Sequence, residues 1–375
     1  MSETPNAYAR AGVDVDTEAK ASRIMYEASK KTFENRTGRI GEIIFPFDDF
    51  AGLKCINVGN LPEGSCMGQG FDGCGTKVEL PQRLKRYDTI AHDLFAMKCD
   101  DAVVRGAEPV LVGSVLDITS LGDDDRYLPI IQELADGYVA AAKEANVAVI
   151  NGEIAQMGAM VAGYGDFPFN WSGACVWFGR RDRLFSGKEI QPGDSVVMLR
   201  EEGMRANGLS LVRKVCRVAY GDEWHDQAFG DSTLGAAVMH PSRIYSRLLV
   251  HLNGGFEGKP TALVHGVAHI TGGGIPEKLG RVLRPSGLGA KLKSLWAPAE
   301  IMLHSQEIGD IDDETAYKTW NMGNGMAIIT PEPELVIHEA ETLGFDSLNA
   351  GTIVREKGIS LRSHGFQSPG ILLTF

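Results

Sequence analysis

A chain of 375 residues with 37 Lys and Arg against 49 Asp and Glu carries a net charge of −12, which argues against a nucleic-acid backbone or an anionic membrane as partner and leaves a small metabolite. That length predicts two domains, each with a sizeable core. Six dispersed cysteines without C-x-x-C spacing suggest neither a zinc site nor a disulfide framework. The absence of an apolar leader or of a membrane-length apolar run predicts a cytoplasmic protein.

In chain order, a polar start at Asp16-Thr17 followed by Ala21, Ile24, Met25 and Ala28 predicts a packed helix over 17–35. Leu61-Pro62-Glu63-Gly64-Ser65 reads as a turn, and Thr76-Lys77-Val78-Glu79-Leu80 alternates like a strand. From Leu84 to Arg105, Ile90, Leu94, Met97 and Val104 recur at near-helical spacing, which places Asp93, Asp100 and Asp101 on neighbouring turns. Pro109–Asp117 reads as a buried strand, Tyr127–Ala145 as a helix, and Val147–Ile150 and Trp171–Phe178 as further strands. Charge and turn residues at Arg180–Arg183 and Gln191–Asp194 predict a boundary that divides the chain into domains at 1–185 and 186–375. The second half opens on a strand at Ser195–Leu199 and carries a late one at Gly325–Ile329. Both halves are α+β, and no tandem repeat is visible.

The chemistry concentrates in Phe71-Asp72-Gly73-Cys74-Gly75-Thr76-Lys77, His92-Asp93, Asp100-Asp101 and Gly106-Ala107-Glu108-Pro109. Glycines admit polyphosphate oxygens close to the backbone, lysine supplies a compact cation, and carboxylates hold Mg2+ through oxygen. ATP with Mg2+ is therefore the expected pair. Gly73, Gly75, Thr76, Lys77, Asp93 and Glu153 are the nucleotide candidates, with Asp72, Asp93, Asp100 and Asp101 as metal ligands. Gly68–Gly73 satisfies G-x-G-x-x-G, but a turn before it and a strand after it are the wrong flanks for a dinucleotide turn, and Lys77-Val78 fails the P-loop pattern. Glu153, in Asn151-Gly152-Glu153, is expected where a strand end meets a loop. Gly203–Gly208 precedes a helical run, and Gly272-Gly273-Gly274 precedes a helix that Pro276 can start. Both suit a substrate phosphate, with Arg205, Asn207 and Asn321 as further contacts. His269 beside the three glycines is an acid/base or phosphate candidate, or a structural core histidine. Asp72, Lys77 and His269 are the candidate catalytic residues.

In this order the segments resemble the AIR synthetase family of phosphoribosylformylglycinamidine cyclo-ligases over nearly the whole chain. The resemblance is carried by Tyr8–Asp14, Asp72–Lys77, Gly106–Pro109, Asn207–Lys214, Pro241–Tyr245, Ala268–Gly274 and Thr319–Gly323. It implies a two-domain AIR synthetase-like fold, with an N-terminal mixed sheet forming a homodimer interface and a C-terminal α/β sandwich. It also implies ATP near the dimer-facing side, a ribonucleotide between the domains, and ATP-dependent imidazole ring closure in purine biosynthesis. Three departures stand out. The family's Gly-Gly-Glu-Thr-Ala-Glu-Met-Pro loop reads Asn151-Gly152-Glu153-Ile154-Ala155-Gln156-Met157-Gly158. Its His-Ser-Asn-Gly turn reads Arg205-Ala206-Asn207-Gly208, exchanging a titratable ring for a permanent cation. Its Asn-Asp pair reads Asp100-Asp101. A diverged member acting on another formamide or phosphorylated metabolite, and a non-catalytic nucleotide-binding paralogue, are the alternatives these departures raise.

Overall fold

A computed structural model describes residues 15–44 and 54–375; the Tyr8–Asp14 motif lies outside the described residues. Two compact units form. One comprises 15–44, 54–63, Met67–Cys99 and Pro109–Trp177, and the other Gly64–Cys66, Asp100–Glu108 and Phe178–Phe375. The second unit thus takes in three stretches, Gly64–Cys66, Asp100–Glu108 and 178–185, that a single cut at 185 leaves in the first.

The first unit begins with helix α1 (Val15–Lys31), whose first turn holds Asp16 and Glu18 and whose last holds Lys30 and Lys31, as the helix dipole favours. A short antiparallel pair, β1 (Glu42–Ile44) with β2 (Cys55–Asn57), follows. The main sheet has β3 (Ser65–Gly73), β4 (Glu108–Ile118), β5 (Ala148–Gln156) and β6 (Phe169–Arg180) in the order β3-β6-β4-β5. Helices α2 (Glu79–Leu84), α3 (Ile90–Val103) and α4 (Leu128–Ala145) lie between the strands in sequence. Consecutive apolar residues Val110, Leu111 and Val112 suit β4, a buried strand that pairs in parallel with β5 from Leu111↔Ala148 onward. Phe95 of α3 meets Tyr138 of α4 edge to face at 5.1 Å between centroids, and Tyr138 packs tilted against Trp171 of β6 at 5.2 Å. The Tyr138 hydroxyl (2.8 Å) and the Trp171 indole N–H (3.2 Å) both donate to the Ser114 hydroxyl, so the polar tips of this aromatic core are satisfied.

Three expectations are corrected here. Thr76–Leu80 is not a strand: Gly75, at φ +55°, turns the chain out of β3 into a 3-10 turn over Gly75–Val78 and then α2. The Gly68–Gly73 pattern therefore has a strand with a helix after it, but its glycines lie inside β3 and no turn there cradles a pyrophosphate. Glu153 is not at a strand end, because β5 continues to Gln156 in register with β4.

The second unit is built on a seven-stranded mixed sheet. Its strands are β7 (Ser195–Arg200), β10 (Gly266–His269), β11 (Gly289–Leu292), β12 (Asn324–Thr330), β13 (Ser347–Val354), β14 (Gly358–Arg362) and β15 (Leu372–Thr374), ordered β10-β12-β7-β13-β11-β14-β15. The hairpin β8 (Ala228–Phe229) with β9 (Ser232–Thr233) stands apart. Only β11 and β14 pair in parallel among the register pairs of the large sheet. Helices α5 (Leu209–Tyr220), α6 (Leu234–Met239) and α7 (Ser246–Asn253) lie between β7 and β10 in sequence, and α8 (Gly274–Leu283) between β10 and β11. Val197, Leu199, Met326 and Ile328 pack with Leu248, Leu249 and Leu252 of α7 into one apolar cluster.

Lys98 is an anomaly in the first unit's core. It is 3% exposed, and its Nζ makes no hydrogen bond among the described residues. A Cβ added to Gly173 would lie 2.5 Å from that nitrogen, so the missing side chain is what leaves it room. Burial pushes the Lys98 amine down to about 8. Below that pH the buried ammonium costs stability. Between about 8 and 10.5 the folded chain releases a proton that the unfolded chain keeps, so the cost is relieved as pH rises. Lys98→Met is expected to stabilise the fold by about 1–3 kcal/mol at neutral pH, with the advantage shrinking from pH 8 to 10.5. Urea unfolding across that range checks both the sign and the trend.

Candidate functional site

On the first unit's sheet, the face opposite the aromatic core is lined by Phe71, Asp72, Gly113, Val115, Asn151, Glu153, Ser172 and Ala174, around a cavity of ≈ 530 Å³. The period-2 alternation explains this: in β4, Val115 is exposed while Ser114 and Leu116 are buried. Register pairs Glu153 with Val115, so the acid emerges on the cavity side. Asp72, near the end of β3, is exposed, and its Oδ1 accepts the Gly73 N–H at 2.7 Å. The structure thus gathers Asp72 and Glu153 on one cavity, with the glycine-rich backbone of β4, β5 and β6 as its floor. Two exposed carboxylates are hard oxygen donors of the kind Mg2+ takes.

Lys77 does not join them. It is fully buried, with Nζ 2.7 Å from Asp93 Oδ1, and both side chains are at most 1% exposed. The placement of Lys77 on phosphate and of Asp93 on metal or nucleotide is therefore corrected: each charge is matched by the other inside the fold.

In the second unit, the last turn of α3, the end of β7 and the end of β10 build a buried polar cluster. Arg205, 1% exposed, donates from Nη1 to Glu201 Oε2 (2.6 Å) and from Nη2 to Asp100 Oδ2 (3.2 Å). Nη2 also lies 2.6 Å from His269 Nε2, and the guanidinium sits 5.3 Å from the centre of the Tyr245 ring. Asp100 accepts a second bond from the Tyr245 N–H at 2.9 Å, and His269 Nδ1 is 2.9 Å from Asp101 Oδ1. Burial works against the Arg205 charge, but Glu201, Tyr245 and Asp100 outweigh it and raise its pKa further. Burial pushes Asp100 upward against the lowering effect of Arg205, but both of its oxygens accept N–H bonds, one from the guanidinium, so it is held as the carboxylate. Burial with Arg205 beside it pushes His269 down to about 4. Although burial would raise Asp101, the His269 hydrogen bond holds it below the ordinary carboxylate value.

Arg205 therefore does not grip a phosphate from solvent, and Asp100 presents no carboxylate to a metal. Of the acidic pair at the end of α3, only Asp101, with its side chain 59% exposed, faces outward. Asn321 is also corrected. Its amide nitrogen donates to Gly203 O (2.9 Å) and its oxygen accepts the Gly323 N–H (2.8 Å), so both ends are committed to the backbone. Asn207 and Gly272 are neighbours, since a Cβ on Gly272 would lie 3.7 Å from the Asn207 amide nitrogen. Gly273, at φ +94°, caps α8, and a Cβ on Gly274 would strike Tyr317 O at 1.8 Å. At least Gly274 is thus required for packing, whatever binds there. Among the described residues, Glu223, His225 and Asp226 also bring ligand-type atoms together, the His225 Nε2 lying 3.5 and 3.7 Å from the two carboxylates; sequence reasoning passed over them. It also missed Glu201 and Tyr245, although Glu201 stands four residues before Arg205 and Tyr245 closes the quoted Pro241–Tyr245 segment.

The arrangement defines a two-unit α+β protein with paired acids on an open sheet face. Models of the AIR synthase related protein family match it twice, the N-terminal domain over 48–170 and the C-terminal domain over 191–364. The chain is 32% identical to a phosphoribosylformylglycinamidine cyclo-ligase of Acetivibrio thermocellus, covering 93% of this chain and 97% of that one. Among solved structures, a thiamine-monophosphate kinase from Stenotrophomonas maltophilia shares the fold at TM-score 0.58 and 16% identity, covering 92% of this chain and 97% of that one. The hydrogenase maturation protein HypE in complex with ATP shares it at TM-score 0.55 and 14% identity, covering 84% and 85%. The chain belongs to the AIR synthase related family.

The buried Lys77–Asp93 pair makes a prediction opposite to that of a phosphate-binding lysine. Lys77→Met is expected to cost about 3–5 kcal/mol of stability by leaving a buried carboxylate without its cation. Chemical denaturation of the unliganded protein measures it, and a loss under 1 kcal/mol would contradict the assignment.

Proposed function

We propose that the protein is an ATP-dependent cyclo-ligase that closes the imidazole ring of formylglycinamidine ribonucleotide to give aminoimidazole ribonucleotide, a cytoplasmic step of purine biosynthesis. The observation that carries this reading is the pair of exposed carboxylates, Asp72 and Glu153, on the ≈ 530 Å³ cavity, in a chain that aligns over 97% of the length of a relative named for that reaction. In the reaction, the ATP γ-phosphoryl group passes to the formyl oxygen, releasing ADP. The substrate's own nitrogen then attacks the activated carbon, and phosphate leaves with that oxygen. The protein's task is positioning and charge stabilisation. Asp72 and Glu153 would hold Mg2+, which when bound neutralises phosphate charge. The glycine backbone of the cavity floor admits the nucleotide without Cβ obstruction. In the second unit, Asp101 and the Asn207–Gly272 neighbourhood offer an exposed acid and amide to the ribonucleotide.

A second reading, a diverged member that activates another formamide or phosphorylated metabolite, is favoured by one observation: Arg205 and Asp100 are buried against each other where the family pattern has His and Asn. Incubation with ATP, Mg2+ and formylglycinamidine ribonucleotide separates the two. Equal yields of ADP and aminoimidazole ribonucleotide are expected; ADP formation only with a different metabolite favours the diverged reading, and none with any favours a nucleotide-binding paralogue. Asp72→Asn and Glu153→Gln are each expected to weaken Mg-ATP binding about ten- to a hundredfold, read by calorimetry.

A homodimer formed through the four-stranded sheet is part of the same proposal. It is supported by the exposed Met67 (63%), Phe71 (74%) and Val115 (38%) on β3 and β4. Phe71→Asp is expected to shift the protein toward monomer in sedimentation velocity; an unchanged sedimentation coefficient would place the interface elsewhere.

A further inference from the structure

We propose that Arg205 is a positioning residue. Its guanidinium fixes His269 as the Nδ1–H tautomer, the ring in turn orients the Asp101 carboxylate, and the acid at 100 and the cation at 205 depend on each other.

The tautomer follows from donor counting. A guanidinium has five N–H donors and no acceptor, so the 2.6 Å approach of Arg205 Nη2 to His269 Nε2 requires a lone pair on that nitrogen. The ring's proton then resides on Nδ1, where it donates to Asp101 Oδ1 at 2.9 Å. Burial and the neighbouring guanidinium both disfavour a second proton. The result is a one-way chain of donation from Arg205 through His269 to Asp101.

Arg205 has no latitude to release the ring. Glu201 and Asp100 hold two of its nitrogens, its Cζ sits over the Tyr245 ring, and the Tyr245 N–H fixes Asp100 in turn. The backbone of Arg205 is left-handed at φ +58°, a conformation a bulky residue keeps only where its surroundings over-determine it. The Glu201, Asp100, Arg205 and His269 side chains are at most 4% exposed, whereas Asp101 is 59% exposed. The chain of donors therefore ends on the member of the cluster that a ligand can reach.

The same geometry couples Asp100 and Arg205. An acid at 100 with a neutral ring at 205 would be a buried carboxylate without its cation. An arginine at 205 beside an Asn at 100 would keep Glu201 and lose one of its two counter-charges. Neither change is tolerated well alone.

The assignment of an orienting role toward substrate rests on the cyclo-ligase reading, but the tautomer and the coupling do not, and the tests separate them. In protein labelled with 15N-histidine, a long-range 1H–15N spectrum at pH 7, with His269 assigned by its loss in His269→Gln, is expected to show a protonated Nδ1 and a bare Nε2. An Nε2–H tautomer or an imidazolium would overturn the proposal. Arg205→His and Asp100→Asn are each expected to lower the thermal midpoint, and the double variant to recover most of the loss; a double variant no better than the sum of the singles overturns the coupling. Where Arg205→His does not fold, Arg205→Lys keeps the charge without the planar fork and is expected to yield a mixture of His269 tautomers. In turnover assays of Arg205→Lys, kcat is expected to fall at least about tenfold with KM within about twofold, and an unchanged kcat removes the positioning role. A parent without cyclo-ligase turnover would sink the functional reading and leave the spectrum and the stability cycle as they stand.

Discussion

In each unit of this protein one cation sealed from water is matched within hydrogen-bond reach by a carboxylate, in contrast to the unmatched Lys98. Lys77 with Asp93 ties the glycine-rich segment after β3 to α3 in the first unit, and Arg205 with Glu201 and Asp100 ties the turn before α5 to the end of β7 in the second. Desolvation makes each pair of modest net value for stability, yet removal of either partner is severe. Such pairs hold particular loops in place. In the first unit the consequence is that Asp72, left outside the pair, is held at the rim of the cavity; in the second it is that Asp101 is the acid that meets solvent.

Much of the architecture was legible in the residues because packing and local preference agree there. The helix from Asp16, the buried strand beginning at Pro109, the helix from Leu128 with its Pro129 in the first turn, and the strand at Ser195 all carry periodicity and boundary signals that point the same way. Thr76–Leu80 misleads because five residues are too few to separate strand alternation from helical spacing: the fully buried positions are Lys77 and Leu80, three apart, and the deciding signal is the left-handed Gly75 just before them. The strand at Val147–Ile150 runs on to Gln156 because parallel pairing with β4 carries it through Asn151 and Gly152, residue types that favour turns.

The candidate site was legible in composition and less so in partnership. Asp72 and Glu153 stand 81 positions apart and share one cavity because β3 and β5 contribute to one sheet face, a relation that motif order suggests and only topology establishes. The acids along α3 were grouped by helical spacing, but spacing says nothing of what packs against each turn. Asp93 meets a lysine, Asp100 a guanidinium and Asp101 an imidazole. Three residues of one type on one helix therefore acquire three different chemistries.

The shared guanidinium between Glu201 and Asp100 also bears on descent. When two positions are viable only in matched states, the intermediates between them are the poorest folders in the series, and a lineage that has crossed cannot easily return one substitution at a time. The Arg205 and Asp100 exchange would then act as a ratchet. Branches of the family that carry both residues should remain separate from those that carry neither, and genes caught with one alone should be rare or accompanied by a further change beside Tyr245 or His269.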